Sequence, residues 1–243
     1  MSDRLPIAIG GSQLRSAAMA GDGAAAYEVG VRFAEGRGVP ASLEEAARWF
    51  ERAANKGVTP AQFRYASLLE KGQGVKKDLV HARRLYLAAA NKGSGKAMHN
   101  LAVLYAEGIE GKPDYATAAQ WFRKAAQRGI ADSQYNLGVL CARGLGTEKS
   151  APESYKWFAL AAAQGDRESA KKRDEIAAHL NADAIAAADT AVKNFVAEPQ
   201  PADANTASAP PGGWDNAATA PPARTKARTV GPLSLGALQV GKR

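Results

Sequence analysis

This chain has one cysteine, three histidines and no long apolar run, and each shortage removes a class of function. With Cys141 alone no intramolecular disulfide forms, and His81, His99 and His179 share no metal-ligand spacing with one another or with the cysteine. No metal and no cofactor are expected. Nothing approaches the roughly 18 to 20 uninterrupted apolar residues of a membrane-spanning helix. The opening stretch MSDRLPIAIGG carries one basic residue and a very short apolar run, a poor secretory leader, so the chain as encoded is expected in the cytoplasm. A catalytic constellation is missing too. Ser169-Ala170-Lys171-Lys172 spells the S-x-x-K tetrad of β-lactam-reactive enzymes, but neither S-D-N nor K-T-G follows, and the serine opens a charged helix. The expectation is a protein that is no enzyme, with no catalytic residue; a β-lactam-reactive enzyme is the weak alternative.

Acidic residues are outnumbered, 24 against 32 Lys and Arg, for a formal net charge of +8. On the helices, basic side chains alternate with Glu and Asp and are not clustered with exposed aromatics, which argues against nucleic acid. Lys56, Lys92 and Arg128 sit near helix ends, where the negative end of the helix dipole accounts for them.

What the chain has in abundance is regular spacing. Gly36, Gly72, Gly108 and Gly144 step by 36 residues, and Gly21, Gly57, Gly93, Gly129 and Gly165 form a second ladder with the same step. Trp49, Leu85, Trp121 and Trp157 keep that interval, as do Phe50, Tyr86, Phe122 and Phe158, each followed by an alanine pair such as Ala53 and Ala54. A period of this length marks a stacked repeat array. In each unit, apolar residues return every three or four positions, as in Ala26, Val29, Gly30 and Phe33, which predicts a helix A ending at the first glycine ladder. A helix B is predicted to start at Ser42, Asp78, Asp114 and Ser150, all good N-caps, with Glu45 and Glu153 completing capping boxes. Small residues, Gly30, Ala66, Ala102 and Gly138 on helix A and Ala46, Ala82, Ala118 and Ser154 on helix B, let the pair approach, with Trp49 or Trp121 filling the space beside them. The Gly-x-Gly runs at Gly36, Gly72 and Gly144 follow a helix and no strand, so they read as caps and not as phosphate cradles. Cys141 falls at the repeat position of Phe33, Leu69 and Tyr105, a small core filler.

The combination seen in Asn136-Leu137-Gly138, followed by Gly-x-Gly, a cap, Trp-Phe and Ala-Ala, resembles the SEL-one-like repeat, a relative of the tetratricopeptide repeat. Four copies are expected, at 22–57, 58–93, 94–129 and 130–165. The resemblance implies an all-α fold, a right-handed α-solenoid or alpha-alpha superhelix, whose helices A line a concave groove that binds other proteins. The segments AYEVGVRFAEGRGVP, KAMHNLAVLYAEGIEGKPDYATAAQWFRKAA and ESYKWFALAAAQGDRESAKKRDEIAAHL are similar to the C-terminal repeat region of PodJ-type bacterial polar localisation factors. In those proteins the repeats follow a long coiled coil and a membrane span, neither of which is in this sequence. This second resemblance implies a periplasmic module, against the cytoplasmic expectation from the first residues.

Counted from the small residue of helix A, three positions earlier gives Tyr27, Phe63, His99 and Tyr135, and one later gives Val31, Ser67, Val103 and Val139. By resemblance to tetratricopeptide arrays both rows point into the groove, with Arg64, Asn100 and Asn136 beside them to hydrogen-bond an extended peptide. The competing expectation is that the aromatic row packs between successive A helices. The function expected is a protein–protein interaction scaffold in bacterial polarity or cell-envelope organisation, with a peptidoglycan-associated envelope module as the alternative.

The ends read differently. Leu14, Ala17, Ala18 and Gly21 lie one period before Phe50, Ala53, Ala54 and Gly57, so residues 1–21 form a half-repeat whose apolar edge is to be covered by Ile7 and Ile9, by a partner or by further sequence. Residues 166–197 form a capping pair, a charged helix from Arg167 to Leu180 and a last one capped by Asn181 with the stripe Ile185, Ala188, Val192 and Phe195. Seven of the twelve prolines fall after Glu198, so residues 198–243 are expected to be disordered. This tail ends with Arg224, Lys226, Arg228, Lys242 and Arg243, has no acidic residue after Asp215, and offers Trp214 as its one candidate anchor.

Overall fold

The computed structural model describes residues 5–109 and 111–215. Among these, every regular element is helical: α1 (Ser12–Met19), α2 (Gly23–Glu35), α3 (Leu43–Asn55), α4 (Thr59–Lys71), α5 (Leu79–Asn91), α6 (Gly95–Glu107), α7 (Tyr115–Gln127), α8 (Ala131–Arg143), α9 (Ala151–Ala163), α10 (Arg167–Ala177) and α11 (Ala182–Lys193), with 3₁₀ turns at Ile7–Ile9 and Ala202–Ala204. From α2 to α9 each helix is 13 residues long, and connections of seven and three residues alternate between them.

The caps explain why the helices keep this length. Ser42, Asp78, Asp114 and Ser150 accept a hydrogen bond from the backbone N–H three residues on, at 3.2, 2.9, 2.9 and 3.3 Å. The reciprocal half of the predicted capping box does not form. Each cap's own N–H already donates to a carbonyl nine residues back, Ser42 to Phe33 at 2.9 Å and Ser150 to Cys141 at 2.9 Å, so Glu45 binds Arg48 and Glu153 binds Lys156 instead. That backward bond ties helix B to the end of helix A in every repeat, with Asp78 donating to Leu69 and Asp114 to Tyr105.

The two glycines of each Gly-x-Gly run do different work. Gly72 and Gly144, at φ of 66° and 69°, close helix A in the left-handed conformation. Gly74 and Gly146 lie against the first residues of the preceding repeat's helix B. A Cβ at Gly74 would collide with the carbonyl of Leu43, and one at Gly146 with the carbonyl of Tyr115. The second glycine is thus a point of close approach between repeats.

Inside a repeat the ring that lies against the small residue of helix A is the second aromatic, and Trp49 and Trp157 are buried as well. A Cβ on Gly30 would fall 2.7 Å from Cδ1 of Phe50, and one on Gly138 3.0 Å from Cδ1 of Phe158. Phe50, Tyr86, Phe122 and Phe158 are all buried to within 2%. Trp121 is half-buried, with the Lys124 ammonium 4.1 Å above its ring. A buried side chain of this kind stabilises by about 1.5–3 kcal/mol before entropy.

The chain divides into two compact units, described separately: residues 5–97 with 200–215, and residues 98–199. In the first, α1 packs on α2, α2 on α3, α3 on α4 and α4 on α5. Ile9, in a turn that packs on α2, is fully buried, as is Leu14, while Ile7 stays exposed. In the second unit Leu137, Leu140, Cys141, Phe122 and Trp157 form one apolar cluster, on which Phe195 and Val192 pack. Asn181 caps α11, accepting from the Ala184 N–H at 2.8 Å. Buried Ala188 meets Tyr155 and Ala159.

The expected disorder does not begin at residue 198. Glu198 N–H donates to the Gln127 carbonyl at 2.8 Å in the second unit, and residues 200–215 make contacts in the first. The small size of alanine and the fixed backbone of proline let this segment lie close to the helices without a core of its own. Arg224, Lys226, Arg228, Lys242 and Arg243 lie outside the described residues. Among the described residues no helix is long and apolar enough to cross a membrane.

Candidate functional site

The aromatic row on helix A packs inside the repeat. Tyr27 meets Phe50, Phe63 meets Tyr86, His99 meets Phe122 and Tyr135 meets Phe158, with ring centroids 5.7, 5.9, 5.7 and 5.5 Å apart. Each contact joins helix A to its own helix B, not one A helix to the next. Tyr27 and Phe63 in the first unit, and Tyr135 in the second, are still half-exposed beyond this contact. His99 is not: its Nδ1 shares a hydrogen bond of 2.8 Å with Ser133 Oγ, and both residues are buried.

The second row is mostly out of reach. Val31, Val103 and Val139 are buried, as are Asn100 and Asn136. The expectation that all of these side chains line an accessible surface is corrected accordingly. Tyr27, Phe63, Arg64 and Ser67 remain accessible in the first unit and Tyr135 in the second. Among the described residues the side-chain amide of Asn136 has no hydrogen-bond partner.

A polar cluster that the rows did not include lies at the end of α2. Arg32 is buried, and its Nε donates to Glu28 Oε1 at 2.8 Å while Nη1 donates to the Ile9 carbonyl at 2.7 Å. The rest of the guanidinium grips the Asp215 carboxylate, Nη1 to Oδ1 at 3.1 Å and Nη2 to Oδ2, and the Gly11 N–H adds 2.8 Å to Oδ1. The bond from Arg32 holds the Asp215 carboxyl below the usual carboxylate range, against the opposing effect of burial. The signal for Arg32 is in the sequence: Leu68, Leu104 and Leu140 hold its position in the other repeats.

In the S-x-x-K tetrad the serine and the second lysine are held apart in their bonding. Ser169 Oγ donates to Asp166 Oδ2 at 2.6 Å, and Lys172 Nζ to Glu175 Oε2 at 2.8 Å, so serine and lysine are each engaged with a different carboxylate. Cys141 is buried, and burial pushes its thiol pKa up. Among the described residues no three His, Cys, Asp or Glu side chains gather to hold a metal.

The sequence model of the Sel1 repeat matches residues 23–58, 59–94, 95–130 and 131–166, more than half of the chain. The chain belongs to the Sel1 repeat family. A Sel1 repeat protein from Oxalobacter formigenes has a similar solved structure, with 31% identity, a TM-score of 0.57 and coverage of 62% of this chain and 62% of that one. The chain therefore spans under two thirds of that relative's length. A protective antigen of uropathogenic Escherichia coli, c5321, described as having an SLR fold, aligns at 20% identity and a TM-score of 0.39 over 75% of this chain and 55% of its own. A Sel1 repeat protein of Klebsiella pneumoniae aligns at 20% identity and a TM-score of 0.34 over 69% and 99%. No curated protein matches. The succession of packed helices is the one expected of Sel1 repeats, and proteins built from them generally mediate protein–protein interaction.

Proposed function

We propose that this Sel1 repeat chain is a non-enzymatic scaffold that docks partner polypeptides on accessible helix A side chains, each unit offering its own, Tyr27 and Phe63 in the first and Tyr135 in the second. The observation that carries the reading is the repeated ring contact between helix A and helix B. It fixes Tyr27, Phe63 and Tyr135 in position while leaving each half-exposed, so binding orders little that is not already ordered. Arg64, exposed one residue after Phe63, supplies a hydrogen-bonding and charged group beside the ring. An aromatic surface with few polar groups suits a peptide or helix better than a small charged metabolite. The finer setting, bacterial polarity or the cell envelope, is supported by the PodJ-type resemblance, and co-sedimentation with purified sacculi checks its peptidoglycan form.

The test is capture of partners from the native cell with the unaltered chain and with Phe63→Ala/Tyr135→Ala, its fold checked by circular dichroism. Loss of partners from the folded double variant is expected. Undiminished capture would remove the assignment.

A further inference from the structure

Arg32 breaks the repeat register, standing where Leu68, Leu104 and Leu140 fill the core of the other repeats. Its side chain is nevertheless only 10% exposed. A guanidinium withdrawn from water that far requires anionic partners. One is Glu28, a turn away on α2; the other is Asp215, which arrives from 183 residues downstream and meets the guanidinium fork with both carboxylate oxygens. Such two-point pairing is directional as well as strong. The Gly11 N–H, bonded to the same carboxylate, makes the receptor three donors wide.

The residues before Asp215 are seated as well. Gln200 Oε1 accepts from the Gly95 N–H at 2.9 Å, at the first residue of α6. Pro201 lies so close over Gly93 that a Cβ there would come within 2.6 Å of its Cδ. Ala204 is buried at 1% exposure, and its 3₁₀ turn packs on α4. On α4, Thr59 and Pro60 are buried, whereas the equivalent Ala131 and Asp132 are half-exposed. Thr59 and Pro60 stand one helical turn before Phe63 and Arg64.

We propose that Arg32 and the Gly11 N–H form a carboxylate receptor for extended peptides, and that residues 200–215 are its resident ligand, an internal competitor that a partner bearing an acidic side chain must displace. The receptor and its occupant stand on the contacts above. Only the statement that the displacing partner is the one docked at Phe63 rests on the function proposed for the helix A rows. Being tethered, the segment needs few contacts to stay bound, because its effective concentration is on the order of millimolar. A free peptide must overcome that advantage, and removing the resident carboxylate removes it.

The probe is a fluorescein-labelled peptide of residues 208–215, Ser-Ala-Pro-Pro-Gly-Gly-Trp-Asp, amidated so that the aspartate side chain is the only carboxylate of the peptide itself, the dye being common to every peptide compared. Anisotropy is followed against the full chain. With Asp215→Asn the peptide is expected to bind at least about tenfold more tightly than to the unaltered chain, since the tethered competitor is gone. Replacing the aspartate in the peptide by asparagine, or adding Arg32→Leu to the protein, is expected to abolish that gain. Leucine is the residue of the other repeats, so the second change suits the fold, and the peptide substitution tests the same contact without altering the protein. Equal binding by the unaltered chain and Asp215→Asn, or indifference to the peptide's carboxylate, would overturn the proposal. Partner capture is scored separately on Phe63→Ala/Tyr135→Ala, so either reading can fail while the other stands.

Discussion

Residues 23–109 with 111–166 and residues 200–215 are both ordered, by different physics. In the repeats every copy buries its own aromatic, Phe50, Tyr86, Phe122 or Phe158, and the first alanine of the pair behind it, so the same contact is made four times over. The later segment buries one alanine and otherwise holds on through a glutamine, a proline edge and an aspartate. Apolar repetition gives stability that is insensitive to charge and difficult to undo locally. A few polar anchors on a tether give attachment that can be exchanged. The difference teaches where a scaffold of this kind keeps its rigidity and where it keeps its adjustability.

The sharpest way to break the contrast is to remove a ring from the array. Phe122→Ala is expected to cost about 3–5 kcal/mol and to lower the thermal midpoint accordingly, while Asp215→Asn, which leaves Arg32 its pair with Glu28, lowers it by less. Comparable losses from both would show that the segment is part of the folding core. Next in size is the glycine of close approach. Gly146→Ala must move the Tyr115 carbonyl, about 1–3 kcal/mol of overpacking, on top of about 1–2 kcal/mol for a left-handed alanine. Gly165→Ala carries only the second cost, because nothing lies within 4 Å of its Cβ position. Urea unfolding of the two variants side by side measures the difference, and equal losses would mean that the helix B contact is not what requires glycine.

Ser42→Ala removes one N-cap and is expected to destabilise by about 1 kcal/mol, read from the same urea titrations. The smallest effect concerns acid. Asp215 has its pKa depressed by Arg32, with Gly11 N–H and Arg37 acting in the same direction. A depressed carboxylate contributes above its unfolded pKa, about 3.9, and loses that contribution as pH falls through the lower folded value. Glu28, which shares both arginines, faces the same cluster. Below about pH 4, acrylamide quenching of Trp214 is expected to rise before helical circular dichroism falls. It is read in a Trp49→Phe/Trp121→Phe/Trp157→Phe background. Simultaneous change would tie the segment to global unfolding.

Much of this architecture was legible in the residues. The ladder of glycines announced the C-caps, Ser42, Asp78, Asp114 and Ser150 announced the starts of helix B, and the period announced the repeat, because all three depend on local backbone chemistry that recurs with the sequence. The candidate site was legible only in part. Tyr27, Phe63 and Tyr135 were placed by counting along a helix, but counting could not reveal that His99 would turn to Ser133 or that Val103 and Val139 would be covered. Which side chain stays accessible depends on the neighbour packed over it, and that neighbour comes from another helix.

By itself the amino-acid order determined a string of 13-residue helices with fixed caps and a 36-residue step, since caps, glycine turns and apolar spacing act over one or two helical turns. Only the tertiary structure decided that the cap N–H would be taken by the previous helix, that Gly74 and Gly146 would serve contacts between repeats, and that Arg32 would find its counter-charge in Asp215. Those outcomes join residues far apart in the chain, and a buried donor or charge is satisfied by whatever folding brings beside it.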